Sequence, residues 1–289
     1  MLFQSHRRQQ LRQRHSKRAG SNQTTAVPVY WELLLGLIIL LVTAAGWGLF
    51  FLKPAWFPVA ITAAGIDWDN QFSRTLWITG AIFTVAQLAL VWVIIRRKRP
   101  ATRPEKPEAI WLEYLWTGAT AVLFLSLAVA GSRGWATVPQ NRPGVETIEV
   151  YAHQFAWNFR YPGPDHRFGK TSLDLISDSG GNSLGIDPKD SRGKDDFVTS
   201  TLRVPVGRPV LLLLHSRDVI HDFFVRELRT KQDVVPGMEI PLEILVDRPG
   251  QWEIACAELC GLGHSQMRSL LIALPAEEFD RWKASAGTN

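Results

Sequence analysis

The chain has 289 residues, enough for about two domains, and a formal charge of +5 that conceals a division. Residues 1–135 carry 15 Lys and Arg against 6 Asp and Glu, net +9, whereas residues 136–289 carry 17 against 21, net −4. A single basic surface for nucleic acid is therefore a poor reading: the positive charge flanks apolar runs, where it orients helices in a bilayer, and the mildly acidic half favours a basic protein partner.

In chain order, residues 1–30 form a polar, basic tail with six cations from Arg7 to Arg18. Three apolar runs follow, at 31–52, 76–95 and 110–131. The first holds one charge, Glu32, at its edge, the second none, and the third Glu113 near its start. At ~1.5 Å per residue each is long enough to cross or nearly cross a ~30 Å hydrocarbon core. Arg96-Arg97-Lys98-Arg99, Arg103 and Lys106 lie between the second and third runs. The positive-inside rule puts this loop and the tail in the cytoplasm, and everything after the third span outside. The first run is read as a retained span. The competing reading is a signal peptide with Thr43-Ala44-Ala45 as cleavage region, but 22 residues is long for a signal core.

The region 136–289 reads as strands. Residues 145–161 are rich in aromatic and β-branched types and end at Pro162-Gly163-Pro164. Residues 202–214 contain Pro205-Val206-Gly207 and then an apolar run. Segments 239–246 and 251–255 flank Arg248-Pro249-Gly250, read as a hairpin turn, and 269–274 makes another strand. Short strands with Pro/Gly turns predict a β-sandwich. A terminal helix is expected over 275–286, with Pro275 first and Glu277 and Glu278 in its first turn. The Gly-, Asp- and Ser-rich stretch 165–200 is read as an inserted loop.

The segment Cys256-Ala-Glu258-Leu-Cys260-Gly-Leu-Gly-His264-Ser-Gln-Met267 places four potential ligands four, four and three residues apart. Gly261 and Gly263 let it bend so that the side chains converge. Thiolate, imidazole and thioether together suit copper cycling between two oxidation states, and Met is a poor zinc ligand. Two thiolates in one loop could bridge two metal ions. The alternative for the only two cysteines is a disulfide, as in other exported domains, closing a very small ring. A second imidazole must come from elsewhere. His221, in Ser216-Arg-Asp218-Val-Ile-His221, is the candidate. His215 competes and is read as a strand-end residue without a metal role.

These residues, C-x-E-x-C-x-x-x-H-x-x-M preceded by S-x-D-V-x-H, resemble cytochrome c oxidase subunit II, the family with the dinuclear copper centre CuA. Further matches are Lys231-Gln-Asp233-Val-Val-Pro236-Gly237, His153-Gln-Phe-Ala-Trp157, and Glu113-Tyr-Leu-Trp116-Thr117 in the membrane part. The resemblance spans roughly 70–274. Joined to the three spans read above, which make a three-helix membrane anchor, it implies an all-β, cupredoxin-like Greek-key sandwich, in a bacterial plasma membrane with the C-terminal domain on the periplasmic side. It implies two copper ions bridged by Cys256 and Cys260, bound singly by His221 and His264, with Met267 and the Glu258 carbonyl as weak axial ligands. The Glu258 carboxylate would help bind Mg2+ at the interface with a haem-bearing subunit I. Glu113 would stand at the mouth of a proton path in that neighbour, and a carboxylate in an apolar span is a functional candidate on physical grounds too. The competing reading of Glu113 is a side chain that snorkels to the interface.

The implied activity is electron uptake from a c-type cytochrome or small copper protein, passed on for oxygen reduction and proton translocation. No oxygen chemistry is expected in this chain. Two departures stand out: a first span additional to the family's usual two, and Phe155 where the family often has Trp at the point of electron arrival. Trp157 follows two residues on and is expected on the same strand face. Competing functions are the CuA subunit of a nitrogen-oxide reductase and a membrane-anchored copper carrier with an open ligand set.

Overall fold

The structure, a computed structural model, describes residues 29–52, 57–96, 109–136 and 145–287. The basic tail and most of the basic loop after the second span lie outside the described residues. Among the described residues three helices are long and apolar enough to cross a membrane: α1 (Val29–Phe51), α2 (Ala63–Arg96) and α3 (Ile110–Ala136). α2 starts 13 residues before the apolar run expected at 76–95. Its first turns hold Asp67, Asp69, Asn70, Gln71 and Arg74, which break the hydrophobicity without breaking the helix.

The chain divides into two compact units, and α2 runs through both. In the first (residues 1–51 and 79–106), α1 packs on the second half of α2. The Trp47 indole N–H donates to Thr84 Oγ1 at 2.8 Å, and Gly80 leaves room for the Trp47 ring. Small residues that admit a close neighbour, with a hydrogen bond across the helices, are the usual means of association where no water drives it.

The described residues of the second unit (52–78 and 107–289) form ten strands: β1 (Glu146–His153), β2 (Ala156–Tyr161), β3 (Phe197–Thr199), β4 (Leu202–Pro205), β5 (Val210–Ser216), β6 (His221–Val225), β7 (Thr230–Val234), β8 (Ile240–Ile244), β9 (Gly250–Cys256) and β10 (Arg268–Leu274). They form two five-stranded sheets in the orders β3-β2-β1-β5-β8 and β4-β10-β9-β6-β7. Pairing is antiparallel except for β1 with β5 and β4 with β10. Alternate residues such as Val210, Leu212 and Leu214 are buried between the sheets, as a period of two requires. This is the sandwich expected from the sequence.

The Arg248-Pro249-Gly250 turn is not a hairpin. β8 pairs with β5 in one sheet, whereas β9 pairs with β10 and β6 in the other, so the turn carries the chain across the sandwich. The terminal helix α4 (Ala276–Ala286) begins one residue after Pro275, with Glu277 and Glu278 in its first turn. It buries Phe279 and sets Trp282 against Tyr161.

The stretch 165–200 is an ordered excursion with two short 3-10 turns (Leu173–Leu175 and Ser191–Gly193) and the edge strand β3. Buried Arg160 on β2 holds it: the guanidinium pairs with Asp196, donates to the Gly169 carbonyl at 2.7 Å and bonds Glu149 on β1 at 2.8 Å. At the opposite end from the β5–β6 loop, residues 57–63 strap the base of the sandwich. The Ile61 N–H donates to the Glu227 carbonyl (2.9 Å), its carbonyl accepts from Asp247 N–H (3.0 Å), and its side chain joins the core at 2% exposure. Arg229 grips both Asp69 oxygens at 2.9 Å and the Pro58 carbonyl at 2.6 Å.

Candidate metal centre

Strand order brings the β1–β2, β5–β6 and β9–β10 connections to one end of the sandwich. β6 begins with His221 and pairs antiparallel with β9, which ends at Cys256. Residues 257–267 then loop back through the 3-10 turn His264–Gln266 into β10. The two distant segments that carry candidate ligands are thus joined by a strand ladder rather than by chance proximity.

Cys256 Sγ lies 3.7 Å from Cys260 Sγ and 3.9 Å from His221 Nδ1. Cys260 Sγ is 3.6 Å from His264 Nδ1 and 3.8 Å from the Met267 sulfur. The Glu258 carbonyl is 3.2 Å from Cys256 Sγ. Both cysteines are free thiols, so the disulfide alternative falls. Donors about 2.0–2.3 Å from a metal ion, at angles near tetrahedral, stand roughly 3.3–3.8 Å apart, which is close to the spacing found. His221 and Met267 are wholly buried, and Cys256 and Cys260 nearly so. Burial, with Cys256 alongside, pushes the Cys260 thiol up to about 11. A cation that displaces those protons has two sulfurs, two imidazole nitrogens, a thioether and a carbonyl to meet it. The donor set fits copper.

Each imidazole turns Nδ1 toward sulfur. His221 Nε2 donates to Asp218 Oδ1 at 2.8 Å, which fixes the ring and leaves the Nδ1 lone pair for the metal. Burial tends to raise the Asp218 carboxyl, but N–H donors from Gln154, His221 and Val219 hold it below its usual value. Gln154 also donates its side-chain amide to the Cys260 carbonyl at 2.5 Å and its backbone N–H to Asp218 at 2.7 Å. Sequence reasoning assigned no role to Asp218 or Gln154. The signal was present, since both lie inside the quoted motifs, but only the fold shows what they hold.

Phe155 and Trp157 do not share a strand face. Gln154 and Phe155 form the turn between β1 and β2, so Phe155 is 38% exposed while Trp157 on β2 is 2% exposed. The Phe155 ring lies on the ligand loop, where a side chain at Gly261 or Gly263 would meet it. Trp157 is packed inside, its ring centroid 6.3 Å from that of His221. His215 stays apart from the cluster, stacked on Tyr151 at 4.8 Å. Glu258 turns its side chain outward, and Glu113 stands in the first turn of α3.

A buried, thiol-rich copper-binding site at the tip of a cupredoxin-like sandwich, on apolar helices, defines a membrane-anchored copper protein. The family described as cytochrome c oxidase subunit II, periplasmic domain, matches residues 146–274. An alternative cytochrome c oxidase subunit 2 of Bradyrhizobium diazoefficiens is 35% identical over 254 residues, covering 85% of this chain and 89% of that protein. A cytochrome c oxidase subunit 2 of Synechocystis is 30% identical over 249 residues, covering 79% and 75%. Among solved structures, the periplasmic domain of subunit II of a Bradyrhizobium japonicum cytochrome oxidase aligns at 23% identity and a TM-score of 0.38, over 53% of this chain and 98% of that one. The chain belongs to the cytochrome c oxidase subunit II family, whose members are part of an oxidoreductase complex.

Proposed function

We propose that this chain takes up electrons from a soluble donor at a dinuclear CuA centre and passes them to haem in a partner subunit I, where oxygen is reduced and protons are moved. The observation that supports this most is the closed donor set: every inward-facing soft side chain of two loops lies within 4 Å of another. Cys256 and Cys260 would bridge two copper ions, His221 and His264 would take one each, and Met267 and the Glu258 carbonyl would bind weakly. Bound copper supplies a one-electron carrier. The protein's part is to keep the donors in one arrangement: Asp218 orients His221, Gln154 ties the three loops, and burial keeps His221 and Met267 from water. Two thiols, two imidazoles, a thioether and a carbonyl make a full donor set, which disfavours a carrier that must release its ion.

In the same reading residues 1–30 and the basic segment after α2 lie in the cytoplasm, 31–135 cross a bacterial plasma membrane, and 136–289 stand outside it. Glu258 would reach a Mg2+ ion at the subunit I interface, Glu113 would serve a proton path there, and Phe155, not buried Trp157, would receive the electron. Optical and EPR spectra of the full-length protein in its oxidase test the centre. Two coppers per chain with a purple mixed-valence signal are expected, and Cys256→Ser or Cys260→Ser should abolish that signal while the helices still insert. One colourless copper per chain would refute the reading.

A further inference from the structure

Arg229 closes the turn after β6 in the left-handed backbone region, at φ 58° and ψ 26°. That conformation is strained for a residue with a Cβ, and glycine is its usual occupant. An arginine held there points to a use for its side chain. Nη1 donates to the Arg226 carbonyl at 2.6 Å, which ties the side chain to its own turn. The rest of it lies on the outer turns of α2. An added Cβ at Gly65 would stand 3.3 Å from the Arg229 Cγ, so the stem crosses the helix where no side chain is in the way. Nε and Nη2 take one Asp69 oxygen each at 2.9 Å, and Nη2 also donates to the Pro58 carbonyl. The guanidinium covers the Phe57 ring at 5.5 Å, and Phe57 meets Phe72 edge to face at 5.9 Å. Gly65, Asp69 and Phe72 follow one another at spacings of four and three, which places them on one face of α2.

We infer that Arg229 is a positioning residue: with Asp69 it clasps the sandwich to the outer turns of α2 and so fixes where the copper centre stands for onward electron transfer. The inference rests on the reading that the centre passes electrons to haem in subunit I. One point of attachment leaves a helix free to tilt, and two fix its direction. The first point is the start of α2, where the Ile61 backbone is bonded on both sides and the Ala63 N–H donates to the Asp247 carboxylate at 2.6 Å. The second is Asp69, six residues on, or ~9 Å along the helix. A two-pronged guanidinium–carboxylate pair sets angle as well as distance. The path from clasp to centre is short and continuous. The strand that ends in the Arg229 turn begins with His221, and its ladder with β9 reaches Cys256. The acceptor belongs to another chain, so a tilt of the sandwich on α2 displaces donor from acceptor. A misplacement of ~1 Å can slow a reaction by up to ~100-fold.

The test uses the assembled, copper-loaded oxidase and a ruthenium photoreductant that injects an electron into the copper centre in a flash. Bleaching of the copper band reports uptake, and its recovery reports onward transfer. Arg229→Gly suits the left-handed backbone and removes the clasp, Asp69→Asn keeps the size and removes the charge, and Asp69→Arg/Arg229→Asp restores a pair with its ends exchanged. Both single variants should keep the wild-type copper spectrum and uptake while onward transfer slows at least about threefold, within the range that a ~1 Å displacement allows. The exchanged pair should recover part of the lost rate. A residue that only stabilises the fold would lower the melting temperature and leave the onward rate alone, and that result overturns the inference. So does an altered copper spectrum, since the residue would then act on the ligands, or an exchanged pair that recovers nothing. Should Arg229→Gly not assemble, Asp69→Asn decides by the same onward rate. A wild-type complex that takes the electron and does not pass it on overturns the proposed function and the inference together, and it is recognised before any variant is made.

Discussion

Asp218→Ala removes the group that orients a ligand without touching the metal, and its cost follows from the geometry. His221 is wholly buried, and its Nε2–H has the Asp218 carboxylate at 2.8 Å as partner. Truncation leaves that N–H unsatisfied, at about 1–3 kcal/mol. It also frees the ring to turn Nδ1 away from Cys256, and loss of such an outer partner weakens metal binding about 10–100-fold. The two ranges agree, since 10–100-fold is about 1.4–2.8 kcal/mol. Copper affinity is measured by competition with a chelator on the full-length protein, for wild type, Asp218→Ala and Asp218→Asn. The alanine variant should lose about 10–100-fold. The asparagine variant should lose less, because its amide oxygen still accepts from the imidazole. Unchanged affinity in a folded Asp218→Ala protein would refute the claim that Asp218 sets the His221 ring.

Arg160→Ala strands Glu149 and Asp196 without their cation, and breaking a buried pair costs about 3–5 kcal/mol. The melting temperature should fall by about 10 °C, with partial recovery on adding Glu149→Gln, read by calorimetry. Ile61→Ala empties a core position at the base and should cost about 2–5 kcal/mol. Hydrogen exchange should quicken at the Ile61 and Asp247 amides, whose bonds close the strap. Burial holds the His153 and His215 imidazoles below their ordinary value of 6.5. As pH falls below that value the unfolded chain takes up protons that the folded one refuses, so stability is lost on acidification and is retained above it. A His153→Gln/His215→Gln double variant should flatten this part of the melting temperature–pH curve relative to wild type.

The metal loop was legible because its ligands fall within 12 consecutive residues and their chemistry is written in residue type. The strands were legible from period-two burial, as in Val210, Leu212 and Leu214. The early start of α2 was hidden because Asp67, Asn70, Gln71 and Arg74 interrupt the apolar signal that marks a span. The Gln154–Phe155 turn was hidden because it contains no Gly, Pro, Asn or Asp, so 145–161 read as one strand and put Phe155 and Trp157 on one face. The path of Arg248-Pro249-Gly250 across the sandwich could not be read locally. A turn tripeptide says that the chain reverses, not which sheet the next strand joins. The Arg160 cluster unites residues up to 47 positions apart, from Glu149 to Asp196, with no motif to announce it.

The strap below the sandwich bears on how the sandwich can be handled apart from the helices. Ile61 belongs to the same hydrophobic cluster as Trp157 and Phe223, yet it precedes two of the three long helices. A fragment begun after α3 would therefore be missing a core side chain and would leave the Glu227 carbonyl and the Asp247 amide without the partners they have here. Severing the anchor removes part of what it anchors, and a soluble version keeps its interior whole only if 57–63 is grafted back.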